Sequence, residues 1–160
     1  MEKILVLSDS HGNINNMMLA VKRCLPDRII HLGDCISDAH KLHRKFPNIP
    51  MDCVPGNCDY EQDMAEQILD IEGIPVLICH GHSFNVKAGY LDIEMGALEM
   101  DVKLALFGHT HRVFYDRHNG LVLMNPGSIG SPPWGVPPSY GILQMDGDTG
   151  MIDMEIAYIE

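Results

Sequence analysis

Short apolar runs recur along the first half of the chain, and segments with helical spacing separate them. Continuous runs occupy residues 4–7, 29–32 and 51–54, as expected for strands that are buried on both faces. Between these runs, two segments at about residues 15–24 and 38–46 carry apolar side chains at the period of an amphipathic helix. This β-α-β-α-β order predicts parallel strands joined by right-handed crossovers. Asn13 or Asn15 is the expected cap of the first helix, and Pro47 is expected to end the second.

The second half of the chain predicts antiparallel strand pairs and one more helix. A helix at about 90–100 is expected to present Leu91, Met95 and Leu98, and a strand at 102–107 follows it. Residues 66–71 and 74–79 turn at Glu72-Gly73, residues 112–118 and 121–124 are joined by Asn119-Gly120, and residues 140–146 and 151–158 form a last hairpin. The Asn-Gly pair is the strongest short hairpin signal in the chain.

Taken together, these elements predict a mixed α/β (α+β) fold. We expect one domain over residues 1–160, built as a four-layer αββα sandwich of two mixed β-sheets flanked by helices. Methionines at helical positions are expected in the core; they are Met17, Met18, Met95 and Met100. The segment 125–138 is rich in proline, glycine and serine, carries Trp134 and is long enough to be a functional loop.

Composition and charge limit the class of partner. A formal net charge of −11 over 160 residues argues against general binding to nucleic acid or to an anionic membrane, because both need a basic face. No apolar run approaches membrane-spanning length, and the run at residues 4–7 is too short for a secretory signal. The five cysteines form no Cys-x-x-Cys pair, which predicts reduced thiols in a cytoplasmic protein.

Metal-type residues follow five of the apolar runs. The clusters are Asp9-Ser10-His11, Gly33-Asp34, Gly56-Asn57-Cys58-Asp59, His80-Gly81-His82 and Gly108-His109-Thr110-His111. Because the carboxyl ends of strands in an open α/β sheet form one rim, we expect these side chains to converge on a metal site. A two-metal phosphoryl site needs imidazole, carboxylate and amide ligands around a bridging carboxylate. This donor set suits manganese, iron, nickel, cobalt or zinc rather than magnesium alone.

The ordered clusters resemble the motifs of the calcineurin-like metallophosphoesterases over nearly the whole chain. Its length, together with Gly56-Asn57-Cys58-Asp59 and Asn125-Pro126-Gly127-Ser128, makes it most similar to the small phosphodiesterases of the YfcE type. The retromer subunit Vps29 shares that fold. The resemblance implies two divalent ions, with manganese favoured over nickel, iron, cobalt and zinc. It also implies a ligand assignment: Asp9, His11 and His111 on one ion, Asn57, His80 and His109 on the other, and Asp34 bridging them.

The function that the resemblance implies is a metal-dependent phosphodiesterase acting on small soluble phosphoesters through a hydroxide that bridges the two metals. The alternatives are a phosphomonoesterase and a Vps29-like binding scaffold without catalysis. The catalytic candidates are Asp34, Asn57, Cys58 and His82. Many family members carry histidine where this chain has Cys58, and a thiol is a poorer proton donor to a leaving alkoxide. His82 could partly replace that histidine as proton donor. A homo-oligomer is possible on the sequence alone.

Other polar residues keep a structural interpretation beside a functional one. Asn125-Pro126-Gly127-Ser128 is either a tight turn or a support packed behind the metals. Trp134 either lines a substrate pocket or anchors its loop or a subunit contact, and Arg112 either contacts phosphate or faces solvent. His31 is expected as a hydrogen-bonded core histidine, and Cys58 as the only cysteine near the site. The expected solvated histidines are His40, His43 and His118, and the expected core cysteines are Cys24, Cys35, Cys53 and Cys79.

Replacing Cys58 with histidine is expected to raise hydrolysis of phosphate monoesters relative to diesters, because imidazole can protonate a poor leaving group. The change is measured as the ratio of kcat/KM for an aryl monoester to that for the matching diester, with Cys58→Ser as the control. We expect the ratio to rise about tenfold, below the 10²–10⁴ of a fully positioned acid. An unchanged ratio would mean that position 58 does not face the leaving group.

Overall fold

Ten strands and three α-helices make up the computed structural model, which describes residues 1–60 and 64–160. In chain order they are β1 (Glu2–Leu7), α1 (Ile14–Cys24), β2 (Arg28–His31), α2 (Ile36–Lys45), β3 (Met51–Cys53), β4 (Glu66–Ile71), β5 (Ile74–Cys79), α3 (Leu91–Glu99), β6 (Leu104–Leu106), β7 (Val113–His118), β8 (Leu121–Pro126), β9 (Ser139–Asp146) and β10 (Met151–Tyr158). None of the described helices is long and apolar enough to cross a bilayer.

The strands form two mixed five-stranded sheets. The first has the order β10-β9-β1-β2-β3 and the second has the order β4-β5-β6-β8-β7. Strands β1, β2 and β3 are parallel, which confirms the predicted β-α-β-α-β unit, and β9 is antiparallel to β1. In the second sheet β5, β6 and β8 are parallel, whereas the edge strands β4 and β7 are antiparallel to their neighbours. In each sheet, the carboxyl ends of three parallel strands therefore share one edge.

Hydrophobic side chains form three core clusters: one between the two sheets, and one between each sheet and the helices on its outer face. Neighbouring residues of a strand point to opposite faces: Ile4 enters the core between the two sheets, whereas Leu5 packs with Met17 of α1 on the outer face of the first sheet. Helix α3 covers the outer face of the second sheet through Ile93. The resulting order of helices, sheet, sheet and helix confirms the αββα sandwich predicted from the sequence.

Local sequence signals explain two of the element boundaries. Asn13 caps α1, because its side-chain oxygen accepts a hydrogen bond of 3.0 Å from the backbone N–H of Asn16. The turn between β7 and β8 is Asn119-Gly120, with φ values of 53° and 75°. A two-residue hairpin turn of this kind needs two left-handed residues, which asparagine and glycine adopt most readily.

The exposed face of α3 corrects one prediction. Leu91, Met95 and Leu98 are 65%, 54% and 44% exposed, while Ile93 and Ala97 are fully buried. The helix carries apolar residues on both sides. Periodicity alone therefore favoured the face with the three larger side chains as the buried one. The face with Ala97 lets the helix backbone lie close to the second sheet, which a face of three long side chains would prevent. The expectation that Met95 and Met100 lie in the core was wrong for the same reason.

Truncating Ile93 to alanine is expected to lower the free energy of unfolding by about 2–4 kcal/mol, because it leaves a cavity under α3. Met95→Ala is the matched control on the same helix and should change it by no more than about 0.5 kcal/mol. Urea unfolding of the two variants measures both values. A larger loss for Met95→Ala than for Ile93→Ala would show that α3 is rotated from the orientation described here.

Candidate metal centre

The five metal-type clusters lie on loops that meet at the carboxyl ends of the strands. The loops follow β1 (Asp9), β2 (Asp34), β3 (residues 56–59), β5 (His80) and β6 (residues 108–111). Strands β1 to β3 belong to the first sheet, and β5 and β6 belong to the second. A hydrogen bond of 3.1 Å from the His109 N–H to Asp9 Oδ2 joins the two sheets across this rim.

Left-handed backbone is concentrated in these loops. The residues and their φ values are Asp9 (54°), His11 (41°), Asp34 (54°), His109 (71°) and His111 (63°). Each such non-glycine residue costs about 1–2 kcal/mol, so the surrounding structure must hold it. Strain of this kind gathers at ligand sites, where the turn of the backbone directs neighbouring side chains to one point.

Gly33 allows the loops after β2 and β3 to touch. Its φ is +99°, and a Cβ atom there would lie 2.6 Å from the backbone nitrogen of Gly56. Close contact of these loops brings the N–H of Cys58 to 3.1 Å from Asp34 Oδ1, to which it donates a hydrogen bond. Any side chain at position 33 would separate the loops and move Asp34.

Asp9, His11, Asp34 and His111 form the tightest group of donors. Each offers one ligand atom, and these atoms all lie within 4.8 Å of one another. His11 Nε2 is 3.6 Å from Asp34 Oδ2, and His111 Nε2 is 3.3 Å from Asp9 Oδ1. Ligand atoms about 2.1 Å from a tetrahedral ion lie about 3.4 Å from one another. The observed spacing therefore fits a shared cation.

His80 also contacts both carboxylates. Its Nε2 atom is 3.6 Å from Asp9 Oδ1 and 3.5 Å from Asp34 Oδ2. The centre of the His109 ring lies 5.0 Å from that of His80. His109 is therefore a neighbour of His80, although neither belongs to the tight group of donors formed by Asp9, His11, Asp34 and His111.

Backbone carbonyls fix the orientation of two of these histidines. Nδ1 of His80 donates to the carbonyl of Leu32 over 2.8 Å, and Nδ1 of His111 donates to the carbonyl of Ser131 over 2.7 Å. In both rings the Nε2 atom then faces the carboxylates. Metal-binding histidines in proteins are held in this way, because the second hydrogen bond sets both the tautomer and the ring plane.

Buried polar atoms show that the residues fit a metal ion. Asp9 is fully buried and Asp34 is 3% exposed. Within residues 1–60 and 64–160, neither Asp9 Oδ1 nor His80 Nε2 has a partner with hydrogen-bond geometry, although charged atoms lie 3.3 to 3.6 Å away. Buried polar groups are almost always satisfied. Divalent cations bound at these atoms would supply the missing interactions.

The charges of the site depend on one another. Burial opposes the ionisation of Asp34, but the close contact with His80 and its charge hold the pKa of Asp34 well below its usual range. Burial also disfavours the charged form of His80, yet the close contact with Asp34 and the charge of Asp9 raise the pKa of His80 overall. The close contact with Asp9 raises the pKa of His111. Metal ions and protons therefore compete for these imidazoles.

Asn57 and Cys58 lie at the exposed edge of the centre. Both are exposed, and Nδ2 of Asn57 is 3.7 Å from Sγ of Cys58. The backbone hydrogen bond from Cys58 to Asp34 attaches their turn to the bridging candidate. Partial burial, followed by the charge of Asp34, raises the pKa of the Cys58 thiol.

His82 lies beside His80 and His109. Its ring centre is 5.6 Å from that of His80 and 6.2 Å from that of His109. Burial, followed by the positive charge of His80, lowers the pKa of His82. A histidine with a lowered pKa is less often protonated near neutral pH, so a smaller fraction of it is available as a general acid.

A buried carboxylate beneath the site was not predicted from the sequence. Asp38 lies in the first turn of α2 and is only 2% exposed. Its Oδ2 atom accepts hydrogen bonds from Ser10 Oγ over 2.8 Å and from the Gly12 N–H over 2.7 Å. These bonds hold the loop that carries His11. The only signal in the sequence was an acidic residue near a helix N-terminus, where such residues are common for electrostatic reasons alone.

His31 extends this buried network to the next loop. The Gly33 N–H donates to His31 Nδ1 over 3.1 Å, so the proton of the neutral ring lies on Nε2, which donates to Ser10 Oγ over 3.0 Å. His31 is fully buried. The prediction of a hydrogen-bonded core histidine is confirmed, and its partners connect the loop of His11 to the loop of Asp34.

The segment 125–128 supports the site from behind. Nδ2 of Asn125 donates to the carbonyl of Gly108 over 3.0 Å and to Thr110 Oγ1 over 2.9 Å. Ser128 Oγ donates to the backbone carbonyl of Asp9 over 2.8 Å. Of the two interpretations of this segment, the structure therefore favours a support packed behind the metal-type loops.

Cys35 corrects the assignment of the cysteines. Its Sγ atom lies 4.0 Å from His11 Nδ1, so Cys58 is not the only cysteine near the site. With a φ of 67°, Cys35 is in the left-handed region, and its side chain turns towards the rim. Cys53 is also only half-buried, and the two buried cysteines are Cys24 and Cys79.

Several surface predictions have a clear outcome. His40, His43 and His118 are exposed, as expected. Trp134 is 100% exposed, so it does not anchor its loop. Arg112 is exposed, and its backbone N–H donates to Thr110 Oγ1 over 3.1 Å.

Comparisons with known proteins agree with the fold. The model of the calcineurin-like phosphoesterase superfamily domain matches residues 2–148. The chain is 31% identical over 153 residues to the probable metallophosphoesterase YsnB of Bacillus subtilis (strain 168), which covers 93% of this chain and 88% of YsnB. It is 32% identical over 103 residues to phosphodiesterase YfcE of Escherichia coli (strain K12), covering 58% of this chain and 52% of YfcE. Wild-type Vps29 of Entamoeba histolytica, solved with zinc, is similar in fold, with a TM-score of 0.73 and 19% identity over 98% of both chains.

The αββα sandwich, with carboxylates and imidazoles gathered at one rim, defines the class of metal-dependent phosphoesterases. With a match over residues 2–148, this chain belongs to the calcineurin-like phosphoesterase superfamily. It is a hydrolase of phosphoric ester bonds.

Acid is expected to destabilise the metal-free protein through His31. Burial lowers the pKa of His31 to about 4, against about 6.5 in the unfolded chain. Between these values only the unfolded state binds the proton, so stability is full above pH 6.5 and falls as the pH drops towards 4. By pH 5 the loss from His31 should be about 2 kcal/mol. Urea unfolding of wild type and His31→Gln at pH 7 and pH 5 isolates the loss that comes from His31, because the two proteins share all the other histidines. Equal losses in the two proteins would show that His31 is not the group responsible.

Proposed function

We propose that this chain is a metal-dependent phosphodiesterase that hydrolyses small soluble phosphoesters at a centre of two divalent ions. One observation carries the proposal: two buried carboxylates, Asp9 and Asp34, each lie 3.3 to 3.6 Å from histidine Nε2 atoms on two sides. This arrangement offers more donors than a single small cation needs. Membership in the superfamily and the relative named phosphodiesterase YfcE support the same reaction class.

The proposed ligands divide into two groups that share Asp34. Asp9, His11 and His111 would hold one ion, and Asn57, His80 and His109 the other. Oxygen and imidazole donors without thiolate suit manganese best, with nickel, iron, cobalt and zinc as alternatives. We further propose that residues 1–160 form one domain and that the protein is cytoplasmic.

The two carboxylates are prepared for this role by the way their oxygens are held. Asp9 Oδ2 accepts hydrogen bonds from Ser8 Oγ over 2.7 Å and from the His109 N–H over 3.1 Å, which leaves Oδ1 facing the histidines. Asp34 Oδ1 accepts from the Cys58 N–H, which leaves Oδ2 facing His11 and His80. Divalent ions bound there would supply Lewis acidity, which polarises a phosphoryl group and acidifies water near neutral pH.

The surroundings of the leaving group support diesters over monoesters. A poor leaving group needs a proton donor in reach. Cys58 keeps its proton because its pKa is raised, and the lowered pKa of His82 leaves less of it protonated and able to donate. We therefore infer that the enzyme favours diesters with good leaving groups. Phosphomonoesterase activity is the alternative, and only a comparison of substrates separates the two.

A binding scaffold is the candidate function from a different class. The likeness to Vps29 in fold supports it, and that protein's structure with zinc shows that a protein of this fold can hold metal whatever its role. The scaffold interpretation requires bound metal without turnover. The proposed ligand set of this chain, with carboxylate, amide and imidazole donors at every position, favours the enzyme.

Metal should restore diester hydrolysis to protein stripped with a chelator, and loss of a ligand should abolish it. We expect manganese to restore cleavage of bis(p-nitrophenyl) phosphate, and Asp9→Asn or His111→Ala to lower kcat/KM at least about a hundredfold. His118→Ala is the matched control, because His118 is exposed on the β7–β8 hairpin. Colorimetric rates and metal content by mass spectrometry provide the measurements.

Three outcomes would contradict parts of the proposal. Bound metal without hydrolysis of either diesters or monoesters would favour the scaffold. Unchanged turnover in Asp9→Asn or His111→Ala would remove that residue from the site. Faster cleavage of p-nitrophenyl phosphate than of the diester would favour the phosphomonoesterase.

A further inference from the structure

A cleft of about 480 Å³ runs between α1 and α2 on the outer side of the first sheet. Its lining is divided by helix: Ile14, Asn15 and Met18 come from α1, and Lys41, Arg44 and Lys45 come from α2. Ile14 and Met18 are half-buried and pack against the core beneath. The cleft thus has a partly apolar wall facing a wall of three cations.

The cations of this cleft form no ion pair within residues 1–60 and 64–160. Lys41, Arg44 and Lys45 lie three and four residues apart, so they share one face of α2. Among residues 1–60 and 64–160, none of them forms an ion pair, and no carboxylate lines the cleft. The chain has only 11 lysines and arginines against 22 acidic residues. Like charges at this spacing repel one another, and a bound anion would relieve the repulsion.

Charge alone does not identify a ligand site, because cations near a helix C-terminus also interact favourably with the helix dipole. The additional observation is that the cleft adjoins a depression that reaches the proposed ligand His11. A depression of about 550 Å³ is lined by His11, Gly12 and Gly130, and it shares Ile14 and Asn15 with the cleft. One molecule can therefore contact both the proposed ligand His11 and the cations.

The distance along α2 sets the size of such a molecule. The helix begins at Ile36, two residues after Asp34. With a rise of 1.5 Å per residue, Lys41 lies about 8 Å along the axis from that start. This separation is comparable with the reach from one phosphate to the next in a nucleotide chain.

We propose that the cleft binds a second phosphate of the substrate, so that the preferred substrates are small phosphodiesters that carry a terminal phosphate. The inference rests on the proposed function, since the scissile diester must occupy the metal centre. Lysine and arginine are the usual partners of phosphate oxygens. The wall formed by Ile14 and Met18 would receive the less polar part of the molecule between the two phosphates.

Two dinucleotides test the proposal, since ApA and its 5′-phosphorylated form pApA differ only in the terminal phosphate. Both release a sugar hydroxyl, a poorer leaving group than p-nitrophenolate, so both should react slowly. We expect wild type to cleave pApA with a kcat/KM about tenfold above that for ApA, the effect of two partly screened charge contacts. In Lys41→Gln/Lys45→Gln this ratio should fall to about one. The control Lys22→Gln/Lys103→Gln removes the same charge from exposed sites outside the cleft, and it should keep the wild-type ratio.

Equilibrium binding separates this inference from the proposed function. Calorimetry of both dinucleotides with metal-free Asp34→Asn protein should show tighter binding of pApA, and the difference should disappear when Lys41→Gln/Lys45→Gln is added. If pApA binds more tightly through these lysines but neither the dinucleotides nor bis(p-nitrophenyl) phosphate is cleaved, the cleft inference stands and the phosphodiesterase proposal falls.

Three results would overturn the cleft inference and leave the proposed function intact. The first is equal cleavage and equal binding of the two dinucleotides. The second is a preference for pApA that survives Lys41→Gln/Lys45→Gln, which would place the second phosphate elsewhere. The third is an equal loss of preference in Lys22→Gln/Lys103→Gln, which would indicate a general effect of charge.

Discussion

Asp9 and Asp34 are ionised side chains with almost no contact with solvent, and a carboxylate isolated in that setting would be strongly unfavourable. The loops at this rim surround the two carboxylates with donors: a serine hydroxyl, two backbone N–H groups and histidine Nε2 atoms. Donors can reach a carboxylate from several directions only if several loops converge on it. The remaining architecture of the rim follows from this requirement, including the left-handed residues and the contact between Gly33 and Gly56.

The convergence depends on the packing of the two sheets. Asp9 and Asp34 follow strands of the first sheet, whereas His80, His109 and His111 follow strands of the second. Hydrophobic residues between the sheets, among them Ile4 and Ile30, hold these strand ends together. Metal binding and folding are therefore expected to be coupled, because a ligand that binds only the assembled rim stabilises the folded state. Within the first sheet, the buried hydrogen bonds among Asp38, Ser10 and His31 also join loops of the rim to one another. The positions of these loops therefore depend on the folded state as well.

The rim and the cleft between α1 and α2 meet at the start of α1, and this proximity follows from the parallel β-α-β unit. Loops after parallel strands lie on one side of the sheet, and the helices that follow begin there. A substrate at the metal centre is thus always near the first turns of α1 and α2. In the described part of this chain, the cations of α2 that line the cleft form no ion pair. The general acidity of the molecule would repel phosphoesters, so a local positive surface beside the centre offers them a place to bind.

Local interactions explain what the sequence by itself determined. Apolar runs of strand length, the Asn13 cap and the Asn119-Gly120 turn depend on neighbouring residues alone, so the elements and the order of the metal-type clusters were predictable. Tertiary structure decided what depends on residues far apart in the chain. The inward face of α3 was ambiguous because the helix is apolar on both sides, and packing against the second sheet selected Ile93 and Ala97. The partners of Asp38 and the approach of Cys35 to His11 were likewise invisible in the sequence. They arise only where loops separated by 24 or more residues are brought into contact by the packed sheets.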